Sequence, residues 1–262
     1  MKLVSLFSGS SGNSIYVESD GCRLLFDAGS TCRKIQTALT EIDVKLKDID
    51  AIFVTHEHAD HVSALGVVGR NAKIPVYCNE PTAKKLLTQR DHPAEMLMNI
   101  FSTGSPINIK GLEITSFHIS HDAAEPVGYK VCDGKSALGI ATDTGVVTEE
   151  IFSALSGCKA LLFESNHDID MLKTGPYPAY LKQRILSDYG HLSNASCGKA
   201  LASFIENGSE KMLLGHLSKE NNTPFSAFNT VSRILDEKGY KRNSDYVMNV
   251  ARRDGISDPV II

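Results

Sequence analysis

Thr55-His56-Glu57-His58-Ala59-Asp60-His61 follows directly on Ala51-Ile52-Phe53-Val54, a short apolar run between Asp50 and Thr55. A run of that length and composition reads as a buried strand. Three imidazoles and the Asp60 carboxylate therefore lie within six residues at a strand end, not along a helix. In a loop leaving a strand, His56 and His58 can turn their rings to one point, while Asp60 and His61 serve a second point a few ångströms away. Neutral imidazole with ionised carboxylate suits zinc, manganese, iron or nickel. A histidine-rich surface loop would show the same letters. At this chain's own His and Asp frequencies, however, H-x-H-x-D-H arises by chance on the order of once in a thousand. Strand ends are also where active sites of α/β layers lie. The stretch predicts a metal site in an α/β fold.

Around it, residues 2–7, 13–18 and 22–27 read as strands, the last two joined by the Asp20-Gly21 hairpin signal. A helix is expected over 31–40 and another leaving the loop from His61. Pro75-Val76-Tyr77 reads as a short strand, and Pro81 opens a helix over 82–88. Residues 91–105 show no readable period, and His92, between Asp91 and Pro93, reads as solvated surface. Strands return at 106–109, 112–118, 127–132 and 136–142. Helix 148–154, strand 160–165, helices 178–187 and 194–206, strand 211–215, helix 223–238 and strand 246–251 complete the chain. Antiparallel strands come first in each half and helices later. That order predicts two β-then-α halves packing sheet to sheet with helices outside, in one domain over 1–262.

The 262 residues are 42% apolar and 22% charged, as in ordinary globular proteins. No apolar run approaches the roughly 18 residues of a membrane span. The first nine residues are too short for a signal-peptide core and lead straight into strand pattern, so the expected compartment is the cytoplasm. Cys22, Cys32, Cys78, Cys132, Cys158 and Cys197 form no C-x-x-C pair and lie mostly in apolar segments, which predicts buried reduced thiols. The net charge of −4 does not by itself point to nucleic acid. Its distribution says more: residues 1–170 are net acidic and 171–262 mildly basic, compatible with a polyanionic substrate.

Two metals need more ligands than one loop holds. Gly139-Ile140-Ala141-Thr142-Asp143-Thr144-Gly145 is an apolar strand ending in an Asp, either a cap for helix 148–154 or a carboxylate bridging two metals. In Phe117-His118-Ile119-Ser120-His121-Asp122, His121 falls in the loop after the strand and is the better ligand. His118 reads as an ordinary half-buried strand residue. Lys211-Met212-Leu213-Leu214-Gly215-His216 is a further strand ending in histidine, a ligand or a core residue.

Together, H-x-H-x-D-H, His121, Asp143 and His216 resemble the metallo-β-lactamase superfamily along nearly the whole chain. The resemblance implies an α/β fold of the αββα sandwich type holding two divalent ions. His56, His58 and His121 would take one ion, Asp60, His61 and His216 the other, and Asp143 would bridge both. Asp27 matches the superfamily's first motif and would orient a ligand from behind. His121 followed by Gly128-Tyr129, Glu164 after a strand, and Gly190-His191-Leu192-Ser193 look closer to the phosphodiesterase branch that includes ribonuclease Z than to lactamases. Phe7-Ser8-Gly9-Ser10-Ser11-Gly12-Asn13, His121-Asp122-Ala123-Ala124-Glu125-Pro126, Glu164-Ser165-Asn166-His167-Asp168, Gly190-His191-Leu192-Ser193-Asn194 and Gly215-His216-Leu217-Ser218 most resemble the YycJ (WalJ) proteins of Gram-positive bacteria. That resemblance implies a DNA exonuclease acting from the 5′ end. The long arm with which ribonuclease Z grips transfer RNA is missing, so tRNA 3′ processing is not expected.

Two ions sharing Asp143 would hold a water between them and make it hydroxide near neutral pH, the nucleophile for an in-line attack on phosphorus. The candidate catalytic residues are Asp60, His191 and Glu164. His191 would protonate the leaving oxygen or clamp a non-bridging one, with Glu164 setting its orientation or protonation. Ser193 and Asn194 open a helix whose free N–H groups favour a phosphate oxygen. Asn13 ends a loop that either offers donors to substrate or forms a tight turn. Asn166 and His167 either line the same mouth or cap the helix after Asp168. The expected substrate is nucleic acid, DNA rather than RNA, with no membrane partner; the metal (zinc, manganese, iron or nickel) and the oligomeric state have no signature in the sequence. The same ligands would also serve a hydrolase of a small thioester or lactone.

Overall fold

The computed structural model describes residues 1–88 and 97–262; His92 lies outside the described residues. The chain opens as an antiparallel meander of β1 (Lys2–Phe7), β2 (Ser14–Ser19) and β3 (Cys22–Phe26). It continues by crossovers through α1 (Cys32–Glu41), β4 (Ala51–Phe53), α2 (Ala59–Val62), α3 (Leu65–Ala72), β5 (Val76–Asn79), α4 (Glu80–Thr88) and β6 (Met98–Phe101). From β3 to β6 the pairing is parallel.

The second half repeats the scheme. β7 (Ile107–Ile109), β8 (Leu112–His118), β9 (Val127–Cys132) and β10 (Ala137–Ala141) are antiparallel. α5 (Glu149–Leu155), β11 (Ala160–Glu164), α6 (Ile169–Thr174), α7 (Ala179–Leu186), α8 (Asn194–Glu206), β12 (Lys211–Gly215), α9 (Pro224–Glu237) and β13 (Val247–Val250) follow, with β11 to β13 parallel. β14 (Val260–Ile261) then crosses back to pair with β1. Among the described residues the result is two seven-stranded sheets, ordered β14-β1-β2-β3-β4-β5-β6 and β13-β12-β11-β10-β9-β8-β7.

Strand periodicity explains the layering. Side chains alternate between faces, so Leu24 and Phe26 of β3 join Tyr129, Leu138 and Leu162 in a core between the sheets. Leu25, between them, packs with Ile35, Leu39 and Val68 in the first helical layer. On the other side Leu161 and Phe163 pack with Leu155, Phe204 and Leu235. Strands buried on both faces need the continuous apolar runs that this chain has. Thr31, Thr148, Ser193 and Thr223 cap α1, α5, α8 and α9, each accepting from an amide of the first turn.

The sequence reading differs in four places. The helix expected from His61 begins earlier, at Ala59, and α3 follows it as a separate helix. β6, β14 and a 3-10 turn at Leu46–Asp48 were not foreseen: β6 is an edge strand with Asn99 and Ile100 exposed, and the other two are only two and three residues long. All six cysteines are free, with Cys22, Cys78, Cys158 and Cys197 buried. Among the described residues no helix is long and apolar enough to cross a membrane.

Candidate metal centre

One edge of the sandwich collects the strand ends that carry the chemistry. Asp27 follows β3, residues 55–61 follow β4, His121 follows β8, Asp143 follows β10, Glu164 ends β11 and His216 follows β12. At three of these the chain turns sharply: Asp27, Asp143 and His216 have φ of 64°, 60° and 54°. Asp and His tolerate this left-handed region better than most residues, but each such residue still costs on the order of 1 kcal/mol. The strain turns these side chains into a shared cavity. Gly29 shows the same crowding, since a Cβ there would sit 1.6 Å from the Asp60 carbonyl oxygen.

Four histidines are fixed from behind through Nδ1. His61 Nδ1–H donates to Asp27 Oδ2 at 2.7 Å. The Thr55 hydroxyl donates to the same oxygen at 2.8 Å, so it accepts from His56 Nδ1–H at 3.0 Å. His121 Nδ1–H donates to the Gly190 carbonyl at 3.2 Å, and His216 Nδ1–H to Glu164 Oε1 at 2.9 Å. With Nδ1 donating in each ring, Nε2 is the nitrogen left to face a metal once any proton on it is displaced.

The inner atoms form contiguous groups. Ligand atoms of His56, His58 and His121 lie within 4.8 Å of one another, as do those of Asp60, His61 and His216. Asp143 stands between: Oδ2 is 3.3 Å from His61 Nε2, while Oδ1 is 3.2 Å from His216 Nδ1 and 3.9 Å from His121 Nε2. Among the described residues, His56 Nε2, His216 Nε2 and Asp143 Oδ2 are buried without a hydrogen-bond partner. Leaving such atoms unpaired costs about 1–3 kcal/mol each, and coordination to cations would relieve all three. These buried His, Asp and Glu clusters are typical of a dinuclear metal site, and the donor set fits one.

The electrostatics agree. Burial drives His56 well below its ordinary value, helped by the His61, His121 and His58 rings. Burial lowers His121 as well. For the carboxylates burial works the other way but loses: His216 and His61 hold Asp143 well below the usual range, and His61 and His216 lower Asp60. His191 and His216 likewise bring Glu164 down to about 2 against burial. In return, against burial, Asp143, Asp27 and Asp60 hold His61 well above its ordinary value, and Asp143, Asp60 and Glu164 push His216 up to about 10. Cations entering the site would displace those protons.

A cavity of about 230 Å³ opens onto this cluster, lined among others by Asp60, Asn166, His191 and Ser218. His191 Nδ1–H donates to Glu164 Oε1 at 2.8 Å, leaving Nε2 as the nitrogen available to the cavity. Glu164 Oε2 accepts from the amides of Thr144 and Leu192, so one buried carboxylate ties three loops together. Asn166 donates to the His216 carbonyl at 2.8 Å from the cavity wall.

Asn13 is buried against the ligands: Oδ1 accepts from the Gly9 amide, and Nδ2 is 3.0 Å from His61 Nε2 and donates to Asp60 Oδ2 at 3.3 Å. The other expected residues lie further out. Ser193 spends its hydroxyl capping α8. Asn194 sits in a buried network with Ser165 and Asn222, and its own amide donates to the His167 carbonyl. His167 is buried with neither ring nitrogen hydrogen-bonded among the described residues, and Asp168, not His167, caps α6. His118 is away from the cluster and more exposed than expected, paired with Glu150 at 2.9 Å. Thr55, Tyr177, Leu181 and Arg184 were missed. Thr55 directly precedes the first histidine and Tyr177 sits between two prolines, which were the available signals.

The sequence profile of the beta-lactamase superfamily domain matches residues 22–217. Exodeoxyribonuclease YycJ of Bacillus anthracis is 39% identical over 235 residues, covering 90% of this chain and 89% of the relative. Exodeoxyribonuclease WalJ of Streptococcus pneumoniae is 41% identical over 222 residues, 83% of this chain and 81% of the relative. The crystal structure of Zn²⁺-bound PqqB from Methylobacterium extorquens superposes with a TM-score of 0.72 at 19% identity, over 98% of this chain and all of that one. Fold and site thus define a hydrolase of the metallo-β-lactamase fold. Within that superfamily, the chain belongs to the YycJ/WalJ family.

Proposed function

We propose that the protein is a dinuclear metal-dependent phosphodiesterase that degrades DNA from the 5′ end, with residues 1–262 acting as a single domain. The convergence of seven donor side chains beside the Glu164–His191 pair carries this reading. The relatives named exodeoxyribonuclease support it over most of the chain. In the proposal, His56, His58 and His121 hold one ion and Asp60, His61 and His216 the other, with Asp143 shared. Bound divalent ions would supply Lewis acidity and lower the pKa of water.

The chain's own residues do the rest. Asp27 holds the His61 tautomer, and Thr55 relays the same carboxylate to His56. Glu164 holds His191 at Nδ1, so that Nε2 donates a proton to the departing ester oxygen or a hydrogen bond to a non-bridging one. Asn166 offers a polar wall to the substrate, while Asn13 steadies the Asp60–His61 turn.

The test is metal-loaded protein on DNA and RNA labelled at defined ends, run beside thioesters and lactones. Release of short products from a 5′ end with Mn²⁺ supports the reading. Cleavage of thioesters or lactones with no cleavage of nucleic acid would favour a small-ester hydrolase instead.

A further inference from the structure

Asp122 directly follows His121, and its Oδ1 lies 3.4 Å from His121 Nε2, the nitrogen turned to the metal centre. Its carboxylate is already engaged. Arg184 of α7 grips it with two contacts, Nε to Oδ2 at 2.6 Å and Nη2 to Oδ1 at 2.8 Å. Among the described residues that line the metal-centre cavity, Arg184 alone carries a permanent positive charge. The one fixed cation of the cavity is thus held by an anion of the protein's own.

The backbone beneath the guanidinium is tied to the same loops as the donor histidines. A Cβ on Gly190 would sit 2.2 Å from the Arg184 carbonyl oxygen, so the two segments touch directly. The Gly190 carbonyl accepts from His121 Nδ1–H at 3.2 Å, and the His191 amide donates to the Ile185 carbonyl at 3.0 Å. Ile185 is buried. The fork therefore stands at a set place relative to both His121 and His191. The ion pair itself is half in water, with Arg184 45% and Asp122 38% exposed in their side chains. A pair so exposed is weak and exchanges partners readily.

We propose that Asp122 stands in for a phosphate: as DNA enters, the Arg184 fork leaves Asp122 and takes the non-bridging oxygens of the backbone phosphate next to the scissile one. A phosphate presents the same pair of oxygens to a guanidinium as a carboxylate does. The proposal rests on the phosphodiesterase reading and adds a residue that tells a chain of phosphodiesters from a small ester. The ions and His191 serve the scissile group in that reading, so a fork at the cavity rim serves its neighbour. Until the strand arrives, Asp122 keeps the guanidinium extended at the mouth.

The test compares wild type, Arg184→Ala, Arg184→Lys and Asp122→Asn, all metal-loaded, on end-labelled DNA over a range of salt and on bis-p-nitrophenyl phosphate. Elemental analysis of each protein accompanies it. Arg184→Ala should raise KM for DNA about tenfold, with a smaller effect on kcat. Its log KM should also depend on log salt less steeply, by about one. The loss on bis-p-nitrophenyl phosphate, which has no neighbouring phosphate, should be much smaller. Arg184→Lys should keep the salt slope but lose affinity, because an ammonium cannot form the fork. Asp122→Asn removes the competing charge and should lower KM for DNA about two- to fivefold.

If Arg184→Ala keeps the wild-type KM and salt slope on DNA, the proposal is wrong. Equal losses on both substrates, or loss of metal, would assign Arg184 to the scissile group or to holding His121 and overturn it as well. An Asp122→Asn variant with a raised KM would show that the carboxylate supports the fork and does not yield it. Wild type that cleaves neither DNA nor the small diester would sink the phosphodiesterase reading itself.

Discussion

Glu164 Oε1 accepts from His191 Nδ1–H at 2.8 Å, and the two side chains form a further donor group with Asp143 and His216 beside the two histidine-rich ones. The same oxygen accepts from His216 at 2.9 Å. One carboxylate thus couples a cavity-facing imidazole to a candidate metal ligand, and the two can be separated by mutation.

His191→Ala should lower turnover of bis-p-nitrophenyl phosphate by roughly a hundredfold or more, with metal content unchanged by elemental analysis. Glu164→Gln should reduce both turnover and metal content, because it serves His216 as well. Full activity in His191→Ala would remove that residue from the chemistry.

Among the described residues, Asp27 reaches the cluster through His61 and Thr55. Asp27→Asn should weaken metal binding about 10- to 100-fold in chelator competition while the protein still folds. Unchanged affinity would mean that the tautomer of His61 is set in some other way.

His167, which belongs to neither histidine-rich donor group, makes a contribution to the pH dependence that mutation can isolate. Burial brings its imidazole down to about 4, whereas in the unfolded chain it titrates near 6.5. Between those values the unfolded state binds more protons than the folded state, so stability rises with pH across this window. The contribution is present above about pH 6.5 and is lost, by up to about 3 kcal/mol, as pH falls to 4. Thermal melts from pH 7 to 4 should therefore fall less steeply for His167→Phe than for wild type. Parallel curves would contradict the assignment.

The reading of the sequence reached far where the signal was local. Ala51-Ile52-Phe53-Val54 before the histidines was enough to put the loop at a strand end, and Asp143 and His216 showed themselves by ending apolar runs. What it could not reach depends on distant partners. Nothing local says that Glu164 serves two histidines, because His191 and His216 arrive from separate crossovers. Asn194 stands at a helix start, as expected, but Asn222, brought in before α9, claims its side chain. β6 pairs at a sheet edge with two of its four residues exposed, so it carries no apolar period to find. The left-handed backbone at Asp27, Asp143 and His216 comes from tertiary packing and leaves no trace in composition.

The account turns on whether Asp143 joins two cation sites. Elemental analysis of metal-loaded wild type and Asp143→Ala, with anomalous scattering to locate the ions, tests this directly. The expected result is two ions per wild-type chain, one beside His56, His58 and His121 and one beside Asp60, His61 and His216, with loss of at least one in the variant. A wild-type chain that holds no ion at this edge of the sandwich, or an Asp143→Ala chain that keeps both ions in place, would contradict it.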